Sequence, residues 1–261
     1  MQIDQVLDAI RDADPIVVSE DWAQGRTLYG GITGAILCEF VGQDIEDSRR
    51  LRNLEIGFVR PFEAGKPYHI ELETLAQGRT ATIRAARIIQ EDKVRATAKA
   101  DFVAPFESQV AAQCFIAPGI PEPDQCKQFS RYQVPDFHRN FFQGSLASPA
   151  YPFSGEQTTE IGGWVGFKIP PRQLRDAHLV CLIDAWPPAI TPRYASRKPL
   201  STLSWSMHFA DPVRGTAPDQ PVGYYARVNY ADSGLSSTHA DIWDRQGRLL
   251  AKSQQLNLVY G

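Results

Sequence analysis

The feature that most constrains this chain is an internal repeat, because two copies of one unit must bury their apolar faces in the same way. Leu54-Glu55-Ile56-Gly57-Phe58-Val59-Arg60-Pro61 alternates apolar residues with others and stops at a proline, as a strand does. Trp205-Ser206-Met207-His208-Phe209-Ala210-Asp211-Pro212 repeats this pattern 151 positions later. Glu91 to Ala96 and Gln246 to Ala251 form a second pair, each a turn running into a strand, at an offset of 155. A longer loop in the second copy, around Gly215 to Pro221, absorbs the difference.

Each copy opens with a short apolar helix and continues in strands. The first helix is expected over Gly31 to Phe40, entered through Gly30-Gly31. The second is expected over about Ala177 to Trp186, closed by Pro187-Pro188, which cannot continue a helix. Period two is clearest at Val94, Ala96, Ala98, Ala100 and Phe102, opposed by Arg95, Thr97, Lys99 and Asp101, so one face is buried and the other wet. The small residues on the buried face let a helix approach closely. A helix on a curved antiparallel sheet, present twice, makes the fold class α+β. Between the copies, roughly Pro105 to Lys127, Pro118-Gly119-Ile120-Pro121-Glu122-Pro123 marks a linker. The expected division is residues 1–108, a linker over 109–127, and 128–261.

Composition narrows the function classes. With 43% hydrophobic and 22% charged residues the chain is expected to fold, and a net charge of -3 without a basic stripe argues against a nucleic-acid partner. No stretch reads as a signal peptide or a membrane span, so a cytoplasmic protein without stable membrane association is expected. Cys38, Cys114, Cys126 and Cys181 form no C-x-x-C pair and no zinc spacing. They read as free thiols, and neither a metal nor a cofactor is expected. No G-x-S-x-G elbow is present. Gly30-Gly31-Ile32-Thr33-Gly34 is not a dinucleotide fingerprint and reads as close helix packing.

Three stretches carry a family resemblance. Gly25-Arg26-Thr27-Leu28-Tyr29-Gly30-Gly31, the helix after it, Phe58-Val59-Arg60-Pro61 and Gly78-Arg79-Thr80 form the first. The second is Leu182-Ile183-Asp184-Ala185-Trp186, and the third joins Ser201 to Phe209 with Gly247 to Gln255. In order and spacing the chain resembles the bacterial thioesterase II (TesB-like) acyl-CoA thioesterases, a double-hotdog family. The resemblance implies two tandem hotdog units, an acyl-CoA substrate and a homo-oligomer. It also implies a catalytic Asp on the second helix, a Thr on the next strand and a Gln on the last strand, which fall on Asp184, Thr202 and Gln255. The chain departs from the family at Ser204-Trp205, where an Asp-His precedes Ser-Met, and at Gln255-Leu256, where a Gln-Glu stands.

The residues themselves support these positions unequally. A carboxylate beside Leu179 to Ile183 is costly to bury unless it is paired or used; the alternative is a helix-end acid reaching solvent beside Pro187. Gln255 falls opposite Ala100 in the repeat, putting an amide on the face directed at the helix. Thr202 has the parity of Ser204 and Ser206, whereas Leu203, Trp205, Met207 and Phe209 read as the core face. Either the strand begins after Thr202 or a bulge redirects it. Arg193, Arg197 and Lys198 lie in the loop before Thr202 and are candidates for the coenzyme A diphosphate; a solvated basic loop is the alternative. Two rival functions remain: a non-catalytic acyl-CoA-binding protein, and a hotdog dehydratase using His138 or His178 with an acid. Glu39 is the first copy's only helix acid, so one active site per chain is expected.

Overall fold

The computed structural model describes residues 1–12, 15–129, 134–148, 150–210 and 212–260, so Asp211 of the second strand-stop motif lies outside the described residues. The chain opens with α1 (Ile3–Asp12), whose Ile3, Val6, Leu7 and Ile10 are buried at the spacing of one helical face. A small hairpin, β1 (Ala23–Gln24) and β2 (Thr27–Leu28), leads into α2 (Gly30–Val41). Then come β3 (Arg50–Phe58), β4 (His69–Gln77), β5 (Ala81–Gln90) and β6 (Lys93–Val103). Residues 104–126 contain no helix or strand. The second half comprises β7 (Lys127–Gln128), α3 (Asp136–Phe141), β8 (Phe142–Leu146), β9 (Glu160–Phe167) and α4 (Asp176–Ile183). It ends with β10 (Leu200–Phe209), β11 (Val222–Asp232), β12 (Leu235–Trp243) and β13 (Leu249–Val259).

Among the described residues, eleven strands form one antiparallel sheet in the order β4-β5-β6-β3-β10-β13-β12-β11-β9-β8-β7. The two halves meet at β3 and β10, where Ile56 pairs with Trp205, Glu55 with Ser206 and Leu54 with Met207. The repeat offset of 151 equates Leu54 with Trp205 and Ile56 with Met207, and the pairing exchanges them. A pseudo-twofold axis therefore passes between Glu55 and Ser206. Leu54 pairs with Ala100 on β6 and Trp205 with Gln255 on β13, so Ala100 and Gln255 are equivalent, as the offset of 155 implies. This is the expected double hotdog, two helices enclosed by one continuous sheet.

Both helices are apolar on every side because they are enclosed on every side. From Gly31 to Val41 all of α2 except Phe40 is buried, as are Ala177 to Ile183 of α4. The helices pack closely at Gly34. A Cβ there would stand 2.9 Å from Trp205 Cζ3 and Val180 Cγ1, and 3.0 Å from Ile56 Cδ1, so even Ala would overpack a junction of helix, helix and sheet. They run antiparallel: the end of α4 meets the start of α2 at Asp184, and Arg175 at the start of α4 is bonded to Glu39 near the end of α2.

Candidate active site

The second helix is shorter than its apolar run suggests. It ends at Ile183 rather than Trp186, and Asp184 is its C-cap, with φ -85° and ψ 0°. The prolines limit how far α4 can extend, but its last turn closes earlier, against the start of α2. There the Tyr29 hydroxyl donates to the Cys181 carbonyl at 2.5 Å, satisfying one of the acceptors a helix end leaves open.

Asp184 does not turn to solvent. Its Oδ1 accepts a hydrogen bond from Gln255 Nε2 at 2.8 Å, and the backbone N–H of Gly31 donates to the same carboxyl. A Cβ on Gly30 would lie 2.7 Å from Asp184 Oδ2, so the glycine pair leaves the space the carboxylate fills. The acid of the second copy thus sits on the N-terminal end of the first copy's helix, where the backbone N–H groups favour an anion. Burial nevertheless dominates and pushes the carboxyl from 3.8 up to about 7, the Gln255 and Gly31 hydrogen bonds pulling the other way. Part of the residue remains reachable from outside. A carboxyl poised near neutrality can both take and hold a proton.

Gln255 stands where the repeat places it. Ala251, Ser253, Gln255, Asn257 and Val259 alternate as the buried face of β13, and Gln255 is 8% exposed. Thr202 is brought to the same face by a bulge. The strand begins at Leu200, before Thr202, and the β10–β13 register shifts between Thr202 and Ser204. Leu203 is the residue thrown outward, 40% exposed, which corrects its assignment to the core; Trp205, Met207 and Phe209 are buried. Thr202 pairs with Asn257 and its hydroxyl donates to Asn257 Oδ1 at 3.0 Å. Asp184 and Gln255 are therefore in direct contact, while the Thr202 hydroxyl is engaged with Asn257. Around them Trp186 stacks on Tyr224, centroids 5.3 Å apart, and the Asp184 charge adds to burial in holding the Tyr29 and Tyr224 hydroxyls protonated.

The three basic candidates are divided between two hollows. Arg193 lines a cavity of 280 Å³ with Tyr194, Asp232 and Ser236. Arg197 lines a separate one of 440 Å³ with Gln24, Gly25 and Arg139. Neither cavity is lined by Lys198, which is half-buried.

The rival acids and bases occupy the far end of the helix pair or a closed aromatic nest. His178 accepts the Arg175 N–H at Nδ1, 3.1 Å, and meets Asp4 with Nε2 at 2.9 Å. Both nitrogens are engaged, the ring is wholly buried, and burial depresses its pKa to about 4. Glu39 is held by Arg175 at 2.6 Å. His138 packs against Phe129 and Phe142, and burial depresses it to about 4 as well. A dehydratase would need a histidine open to substrate, and these two are closed off. Among the described residues, no group of His, Cys, Asp and Glu side chains is arranged to hold a metal ion, and no helix is long and apolar enough to cross a membrane.

Sequence reasoning missed Gly30 and Gly31 as partners of the acid, reading them only as helix packing. It also missed Asn257, although that residue shares the parity of Gln255 on the same strand.

The fold is thus a double hotdog in which the Asp184 carboxyl is lodged between the end of the second helix and the start of the first. The chain belongs to the acyl-CoA thioesterase family: the model of that family's N-terminal domain matches residues 18–103, and that of its C-terminal domain residues 117–259. It is accordingly a thioesterase, and the resemblance to the thioesterase II group holds. Among solved structures it is similar to a conserved hotdog protein of unknown function from Alicyclobacillus acidocaldarius, with TM-score 0.83 and 21% identity over 94% of this chain and 91% of the other. It is also similar to a putative thioesterase II from Thermobifida fusca YX, with TM-score 0.79 and 20% identity over 94% and 91%. An acyl-CoA thioesterase II, TesB2, from Mycobacterium marinum matches with TM-score 0.79 and 19% identity over 99% and 98%. At these identities the structural matches show the fold. A search of curated proteins found no match.

Proposed function

We propose that the chain hydrolyses acyl-CoA thioesters at a single site per chain, with Asp184 as general base and Gln255 and Thr202 as the groups that position the water. The observation that carries this reading is the Gln255–Asp184 hydrogen bond of 2.8 Å on a carboxyl raised to about 7. In the reaction the water oxygen attacks the thioester carbonyl carbon as its proton passes to Asp184. The carbon–sulfur bond then breaks, and the thiolate leaves with the C–S electron pair. A thiol pKa of about 8.5 makes strong acid assistance unnecessary, so activation of the water is the main demand on the protein. Such base catalysis is worth about 10² to 10⁴ in rate.

The internal comparison supports one site rather than two. Where the second copy has Gln255 and Thr238 as cross-strand neighbours, the first has Ala100 and Arg84. The Arg84 guanidinium fills its end of the fold by donating to the Val41 and Gln43 carbonyls. For the coenzyme A diphosphate, Arg193, Arg197 and Lys198 remain the proposed contacts. Arg193 is favoured by its cavity, whose wall includes Ser236, the cross-strand neighbour of Asn257. Association into homo-oligomers belongs to the same proposal and rests on the resemblance. The test is thiol release by the purified protein from a panel of acyl-CoAs of increasing chain length. Binding without release from any of them would favour the non-catalytic acyl-CoA-binding alternative.

A further inference from the structure

The two copies differ most sharply along one line of the sheet. In the first copy Leu51 pairs with Phe102 at the bulge and Leu54 with Ala100 beyond it, all apolar and buried. In the second copy Thr202 pairs with Asn257 and Trp205 with Gln255. Both bulges stand at the same place, since β3 shifts register between Leu51 and Asn53 as β10 does between Thr202 and Ser204. The offsets of 151 and 155 therefore equate Leu51 with Thr202 and Phe102 with Asn257. An aromatic core position has become an amide.

That amide is fully buried, 0% exposed, and only half of it is engaged. Oδ1 accepts the Thr202 hydroxyl at 3.0 Å, while Nδ2 has no hydrogen-bond partner among the described residues. Its cross-strand neighbour Ser236 and the next inward hydroxyl, Thr238, are buried and unpartnered too. Buried polar groups are ordinarily satisfied. Three unsatisfied ones stand on adjacent positions of one inner face, beside Gln255.

We infer that Asn257 is a positioning residue of the hydrolytic site, acting through Thr202. A hydroxyl has one proton and two lone pairs. Because Asn257 Oδ1 takes the proton, Thr202 presents only lone pairs to its other neighbours. A reacting water gives one proton to Asp184, and an acceptor for its other proton fixes the oxygen so that a lone pair faces the carbonyl carbon. The Asn257 bond makes Thr202 that acceptor. Without it the hydroxyl is free to rotate and donate to the water, engaging one of its lone pairs and turning it out of the attacking orientation. This inference rests on Asp184 being the base.

The experiment measures kcat, KM, the pH profile and Tm for Asn257→Ala, Thr202→Val and the double variant, with Asp184→Asn alongside. Each single variant is expected to lower kcat by roughly ten- to hundredfold, with KM within about twofold and the acid-limb midpoint unchanged. The double variant is expected to be no slower than the slower single one. Wild-type kcat in Asn257→Ala, losses that multiply, or a change confined to KM would overturn the inference. If Asn257→Ala does not fold, Thr202→Ser against Thr202→Val reads the same bond from its other end. Serine keeps the hydroxyl and is expected to retain most of kcat, and equal losses in both would overturn the role. Full activity in Asp184→Asn defeats the proposed base itself; an inactive Asp184→Asn with normal Asn257→Ala defeats only the role of Asn257.

Discussion

Replacing Asp184 by Asn tests the chemistry and the ionisation together, because the structure sets the sign of both. The carboxyl titrates near 3.8 when exposed and at about 7 in the fold. Between those values the unfolded chain has released a proton that the folded chain retains, so stability falls as pH rises through the window. At 1.36 kcal/mol for each pH unit the loss reaches ~4 kcal/mol once the pH exceeds about 7, and then levels off. Asn carries no such titration. It does lose one acceptor, since one carboxyl oxygen becomes an NH₂ that can only donate, a cost of about 1–3 kcal/mol. Asp184→Asn should therefore be the less stable protein at pH 4.5 and equal or exceed wild type at pH 8. Urea unfolding of both proteins across that range measures the difference, in which the other titrating groups cancel. In the same preparations kcat should fall by about 10² or more. The wild-type rate should drop as pH falls below about 7, where the base protonates, and the residual variant rate should not follow that curve. A stability difference that stays constant from pH 4.5 to 8 would refute the raised ionisation, and an active variant would refute the base.

Gln255→Ala removes a hydrogen bond that lowers the Asp184 pKa, so the acid limb of kcat/KM should move above pH 7, with a smaller loss of kcat at high pH than Asp184→Asn shows. Gly30→Ala puts a methyl group 2.7 Å from Asp184 Oδ2; the carboxylate must move, and kcat is expected to fall at least about tenfold, with a rate equal to wild type counting against the placement of the acid. Replacing Arg193, Arg197 and Lys198 together by Ala should weaken acyl-CoA binding and flatten its salt dependence; unchanged titrations at low and high salt would clear the loop of a binding role.

Much of this architecture was legible in the sequence because it follows from short-range pattern. The two repeat offsets alone equated Ala100 with Gln255 and put the amide on the buried face, and the strand pairing bears this out. The parity conflict at Thr202 was legible too, but it left open a strand starting after Thr202 or a bulge, and the tertiary pairing with β13 settles on the bulge. The spacing of Ile3, Val6, Leu7 and Ile10 carries the signal for α1 as well. What the sequence could not decide is where α4 ends and what Asp184 faces. Its partner Gly31 is a residue of the other copy, far away along the chain, and no local pattern links the two. The same holds for the proton on Asp184. A carboxyl pKa near 7 comes from the desolvation produced when two helices and a sheet close around one side chain, and that exists only once both copies have packed.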